Sequence, residues 1–175
     1  FGGAAFVYSM ELRQSTISDN HAWHQGNPAF SDYDIGGGIV CVRQGYLLGS
    51  TVSGNRSQGR GGGLVSFSGL AVVNSTISGN VAENDIAGGL FLRRPSLLQL
   101  YSSTVTANQS PLSGGGIWLN APGSEFHGSI VAGNSSDLGN LDNRFGALPQ
   151  ASPVGGGHNL IGNSTPLVTL PADTL

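Results

Sequence analysis

Two short acidic pairs, Asp32/Asp34 and Glu83/Asp85, are the parts of this sequence best suited to chemistry. His21 and His24 precede the first pair. Carboxylates near imidazoles can act as general acid and base, and clustered carboxylates can hold Ca²⁺ beside a basic residue that takes a proton. All seven basic residues are Arg, so no Lys is available as that base. His21 and His24 have no neighbouring Cys and no clear third ligand, which makes them a poor metal site. Asp32, Asp34, Glu83 and Asp85, with His21 and His24, therefore stand as catalytic candidates, and a metal site is not expected.

What positions these residues is a repeat. Asn74-Ser-Thr-Ile-Ser-Gly-Asn80 recurs as Ser15-Thr-Ile-Ser-Asp-Asn20, Ser50-Thr-Val-Ser-Gly-Asn55, Ser103-Thr-Val-Thr-Ala-Asn108 and, more loosely, Ser129-Ile-Val-Ala-Gly-Asn134. A Gly-rich lead-in alternates with it: Gly36-Gly37-Gly38-Ile39, Gly61-Gly62-Gly63-Leu64, Ala87-Gly88-Gly89-Leu90 and Gly114-Gly115-Gly116-Ile117. Gly2-Gly3-Ala4-Ala5 and Gly155-Gly156-Gly157 are looser copies. The repeated Asn falls at 20, 55, 80, 108 and 134, in steps of 35, 25, 28 and 26. A unit of this size fits a leucine-rich repeat or one coil of a parallel β-helix. Ser, Thr, Val, Ile, Gly and Asn carry the spacing, and that mixture suits short strands and tight bends rather than helix.

Side-chain direction follows from period two. After the lead-in, Ile39/Cys41, Leu64/Ser66, Leu90/Leu92 and Ile117/Leu119 point inward, as does Ala5/Val7. Two more apolar sets lie three and eight residues before the repeated Asn, for example Ile77 and Val72. Their parities are opposite, so a bend must separate them. The residue six before the Asn is Gln14, Gly49, Asn74, Ser102 or Gly128, and a left-handed backbone is expected there. The Ser five before it recurs in every copy and reads as a stacking residue near a corner, since catalysis needs one nucleophile with its base. The sequence thus predicts an all-β solenoid, a single-stranded parallel β-helix of about five to six coils with three short strands per coil.

Two outward rows follow from the same parity. Phe6, Val40, Val65, Phe91 and Trp118 form one apolar line, with Tyr8, Val42, Phe67, Arg93 and Asn120 beside it. Either loops cover this line, or it is a shallow groove in which Phe67, Phe91 and Trp118 stack on a ligand and Arg93 is a polar handle. The second row pairs hydroxyls: Thr16/Ser18, Thr51/Ser53, Thr76/Ser78 and Thr104/Thr106. Such arrays suit solvent-facing strands, and regular Thr arrays on solenoids can also bind ice.

Charged residues make up 10% of the chain and the net charge is −3, which gives no case for nucleic-acid or membrane-surface binding. No run of about 18 apolar residues exists to span a bilayer. One Cys excludes an internal disulfide. Residues 1–175 read as one β-helix fragment, truncated at both ends. A long loop insertion is expected at 135–154, and an atypical last coil and tail at 155–175. Insertions at one corner are where repeat proteins build a functional face.

The alternating Gly-Gly-Gly-Ile and Ile/Val-x-x-Asn motifs resemble the right-handed parallel β-helix repeats of bacterial surface and secreted proteins. They are similar to the paired Gly-Gly-Ala-Ile and Phe-x-x-Asn motifs of chlamydial polymorphic outer-membrane proteins, with Ile or Val in place of the Phe. Ser129-Ile-Val-Ala-Gly-Asn134 with Gly157-His-Asn-Leu-Ile-Gly162 resembles the end of the helix in bacterial choice-of-anchor proteins. The resemblance implies a right-handed coil and an exported protein, secreted or held at the cell envelope. It implies a structural or adhesive role toward a polysaccharide or a cell-surface protein. The alternative it leaves is a polysaccharide lyase or glycoside hydrolase using the acidic loops, the one case in which Ca²⁺ would be expected; otherwise no cofactor is. The Asn-Thr-Asp, Asp-Asp and Gly-His-Gly signatures of polygalacturonase-like enzymes are missing, as is the Gly-Gly-x-Gly-x-Asp calcium repeat.

Overall fold

Among the described residues, each of five coils lays down three short strands, three of these coils add a fourth, and a sixth coil shows two. The computed structural model describes residues 3–23, 36–93, 97–119, 123–135 and 155–162. The first row is β1 (Ala5–Val7), β5 (Ile39–Cys41), β9 (Leu64–Ser66), β13 (Leu90–Leu92) and β16 (Ile117–Leu119). The second is β2 (Met10–Arg13), β6 (Gly45–Leu48), β10 (Leu70–Val73), β14 (Leu98–Tyr101), β17 (Glu125–His127) and β19 (Gly155–Gly157). The third is β3 (Thr16–Ser18), β7 (Thr51–Ser53), β11 (Thr76–Ser78), β15 (Thr104–Thr106), β18 (Ile130–Val131) and β20 (Leu160–Ile161). A fourth row of two-residue strands, β4 (His21–Ala22), β8 (Arg56–Ser57) and β12 (Val81–Ala82), follows the repeated Asn in three coils. Every row is a parallel sheet in which each strand pairs with its counterpart one coil away. The chain completes four turns between β1 and β16, and the second and third rows each extend to a sixth strand. Among the described residues there is no helix, hence none able to cross a membrane.

Three left-handed bends per coil turn the chain. One lies six residues before the repeated Asn, at Gln14, Gly49, Asn74, Ser102 and Gly128, with φ of 45°, 59°, 48°, 47° and 56°. The second immediately precedes that Asn, at Asp19, Gly54, Gly79, Ala107 and Gly133. The third opens the Gly-rich lead-in at Gly36, Gly61, Ala87 and Gly114. The first two reverse the inward parity between rows, which lets a single chain bury one face of every strand.

The interior is a column of aliphatic ladders. Ile39, Leu64, Leu90 and Ile117 stack in the first row, Leu47, Val72, Leu100 and Phe126 in the second, and Val52, Ile77, Val105 and Val131 in the third. Ser75 and Ile77 are buried while Thr76 between them is half-exposed, as the parity of the repeat requires.

Polar ladders fill two corners. The Ser15 N–H donates to Ser50 Oγ, Ser50 to Ser75, Ser75 to Ser103 and Ser103 to Ser129, at 3.2, 3.0, 3.1 and 3.2 Å. Asn159 Oδ1 takes the place of the next hydroxyl and accepts from Ser129 at 3.0 Å. The repeated Asn forms an amide ladder in which Asn20, Asn55, Asn80 and Asn108 each donate through Nδ2 to the Oδ1 of the next copy. The repeated Ser is thus spent on stacking, and the buried backbone N–H groups it satisfies would otherwise destabilise the corner.

One expectation on register changes. Gly155–Gly157 looks like a lead-in but forms a second-row strand opposite Glu125–His127. The lead-in pattern records close backbone approach and bending, and the sixth coil reuses the same residue type in a different row. Of the 135–154 insertion only Ser135 is described, and the tail from 163 onward lies outside the described residues.

Candidate functional site

The acidic candidates that can be placed are already paired. Glu83 and Asp85 follow β12 at the fourth-row corner. Glu83 Oε1 accepts from Arg56 Nε at 3.0 Å and Nη2 at 2.9 Å, and His21 Nε2 lies 3.8 Å from the same oxygen. Asp85 Oδ2 accepts from Arg60 Nε at 2.9 Å, while its Oδ1 accepts from the Ile86 N–H at 2.9 Å. Each carboxylate is therefore tied to an arginine one coil away, as bonds that clip neighbouring coils together. His21, Glu83 and Arg56 do come together, while His24, Asp32 and Asp34 lie outside the described residues. Among the described residues no group of three or more His, Cys, Asp or Glu side chains is placed to hold a metal ion.

From Val40 to Trp118 the outward line of the first row is not an open groove, while Phe6 in the first coil is 54% exposed. Val40, Val65, Phe91 and Trp118 form a second buried cluster with Ala87, and Phe67 and Ile86 pack against it. Phe91 is 4% exposed and Trp118 9%, with ring centroids 4.9 Å apart in a stacked arrangement. The lead-in covers the line: Gly61 passes so close that a Cβ there would strike Val65 and press on Phe91. Of the four residues expected to bind a ligand, Phe91 and Trp118 are core residues. Phe67 is half-buried beneath the exposed Arg93, whose guanidinium carbon lies 5.5 Å from the ring centroid. Among the described residues, none is a hydrogen-bond partner for the buried Trp118 Nε1–H.

The hydroxyl rows lie as expected. Thr16, Thr51, Thr76 and Thr104 are in direct register, and so are Ser18, Ser53, Ser78 and Thr106.

A third face went unread in the sequence. The outward residues of the second row sit nine and seven before the repeated Asn. They are Glu11/Arg13, Tyr46/Leu48, Ala71/Val73, Gln99/Tyr101 and Glu125/His127. Ala71 lies in register between Tyr46 and Gln99, so a small residue separates two long ones. Tyr46 is 42% exposed. Tyr101 O–H donates to Glu125 Oε2 at 2.5 Å, its ring lies 5.3 Å from that of His127, and Gln99 Nε2 donates to the Tyr101 oxygen at 3.4 Å. The bond to Glu125, with smaller contributions from burial and the carboxylate charge, raises the Tyr101 hydroxyl above the usual tyrosine range. At the adjoining corner a half-open cavity of about 350 Å³ is lined by Gln44, Ser68, Gly69, Leu97, Gln99 and Glu125, among others. The signal for this face lies in the residues that flank the repeated apolar set of the second row.

No protein-family model, curated protein or solved structure matches this chain.

Proposed function

We propose that this chain is a structural and adhesive segment of an exported surface protein, a stiff solenoid that presents one side face to carbohydrate. The observation that carries this is the outward face of the second row, where Tyr46, Gln99, Tyr101 and Glu125 stand beside the cavity at the neighbouring corner. Aromatic and amide side chains set on a rigid sheet, with a concave polar corner alongside, suit recognition of a hydroxylated polymer. The aliphatic column and the two polar ladders hold that face rigid, so little ordering is needed on binding. Glu83 and Asp85, tied to Arg56 and Arg60, lend no support to the lyase or hydrolase alternative.

A glycan array run beside a depolymerase assay tests the proposal. Retention of polysaccharide with no release of reducing ends and no new unsaturated uronate absorbance is the expected result. Turnover of a bound polymer would replace the adhesive role with an enzymatic one.

A further inference from the structure

We infer that the second-row cavity takes a neutral, hydroxyl-rich saccharide rather than a polyuronate, an inference that rests on the adhesive role proposed above. The interior Ser and Asn side chains bond within their ladders. The cavity differs. The Gln44 amide and Ser68 hydroxyl make no side-chain hydrogen bond within the described residues. Gln99 uses only its Nε2, leaving its carbonyl oxygen open. Among the described residues Glu125 uses only Oε2, leaving Oε1 open. Amide and carboxylate groups side by side offer both donors and acceptors, which is what adjacent sugar hydroxyls need.

The apolar share is also present. Leu97 is 49% exposed at the rim and can meet the C–H face of a sugar ring. The corner positions Gln44, Gly69 and Leu97 belong to successive coils, and the carbonyl of each accepts a backbone N–H from the second-row strand of the coil before. The groove therefore runs along the solenoid axis at ~4.8 Å per coil, a direction that suits a chain polymer. Its volume lies at the small end of the range for ligand sites, enough for a short saccharide segment.

Charge decides the class. Among the described residues the lining contains no Arg or His, and none of them forms an ion pair with Glu125. A polyuronate would bring carboxylates against a carboxylate that no cation among the described residues compensates, which disfavours it. A neutral polymer meets no such penalty and can donate hydroxyl hydrogens to Glu125 Oε1 and the Gln99 carbonyl.

Affinity electrophoresis of the full chain through gels containing a neutral glucan, a neutral mannan or polygalacturonate tests this. The neutral gels should retard the protein and polygalacturonate should not. The double variant Gln44→Ala/Gln99→Ala should weaken retention by about tenfold, the worth of one to two hydrogen bonds. Thr76→Ala, on a different face, should leave it unchanged, and circular dichroism should show both variants folded. Retention by polygalacturonate, or neutral retention that the double variant does not weaken, would overturn the inference and leave the adhesive role standing. A wild-type protein that binds neither these polymers nor any glycan or surface protein on an array would remove the adhesive role itself.

Discussion

Asn55 and Asn80 are bonded twice through one oxygen: the Asn55 backbone N–H and its Nδ2 both donate to Asn80 Oδ1, each at 3.0 Å. Asn80 Nδ2 in turn donates to Val52 O at 3.0 Å and to Asn108 Oδ1 at 2.9 Å. One side chain therefore joins successive coils at a corner where both residues are fully buried. Asn80→Ala leaves buried donors on Asn55 without their acceptor and removes the side-chain bond to Val52 O, and should cost about 3 kcal/mol. Asn20→Ala should cost under ~1 kcal/mol, because the Asn20 side chain only donates, to Ser18 O and Asn55 Oδ1, in a half-buried setting. Urea unfolding of the two variants measures the difference; equal midpoints would show that the ladder holds nothing together.

Gly49 and Gly63 are required for different reasons, and Ala substitution separates them. Gly49 sits at φ 59° with open space around it, the nearest atom to a Cβ being Gln14 Cγ at 3.8 Å. Gly49→Ala should cost only the left-handed strain, about 1 kcal/mol. Gly63 has ordinary φ, but a Cβ would lie 2.6 Å from the Gly89 carbonyl oxygen and 3.0 Å from the Asn80 amide. Neither neighbour can yield without parting the coils, so Gly63→Ala should cost over ~3 kcal/mol or prevent folding. Thermal unfolding ranks the pair, and a milder effect at Gly63 than at Gly49 would contradict the close approach.

How far the sequence speaks follows from what repetition encodes. The bend at Asn74 and the inward Ser75 and Ile77 were legible because every coil needs the same residue type at the same place. The fate of Phe91 and Trp118 was not. Parity gives the direction of a side chain from its own strand, but not what the preceding lead-in lays over it, and here Ala87 and Ile86 close the outer side. Glu83 and Asp85 were legible as neighbours, yet their partners Arg56 and Arg60 come from the coil before, a register that emerges only once the fourth row is seen. The second-row face is built from positions whose residue type changes along the stack, as Tyr46, Ala71, Gln99 and Glu125 show, so repetition could not mark them.

Cys41 should be silent to thiol reagents in the folded chain. It is fully buried in the first row, its thiol donates to Arg43 O at 3.2 Å, and burial pushes its ionisation up. The thiolate is the reactive form, so both access and ionisation oppose attack. A disulfide-exchange reagent should label no thiol in buffer and one per chain in denaturant, with native labelling limited by opening of the coil. Stoichiometric labelling on mixing would place Cys41 at the surface and the first-row register off by one residue.

Tyr101 should ionise late, and only while Glu125 is a carboxylate. Its hydroxyl donates to Glu125 Oε2, and that bond holds the neutral phenol in place. An unperturbed tyrosine titrates near ~10, and the folded value lies above it. The sign follows: the bond's contribution to stability is complete below the unfolded value and is lost as pH rises through the folded value. An ultraviolet phenolate titration of the wild type should therefore lag that of Glu125→Gln by the amplitude of one tyrosine at alkaline pH. The same variant should unfold with a shallower alkaline loss of stability, since it has less to lose there. Superimposed titration curves would mean that Tyr101 and Glu125 do not meet on this face.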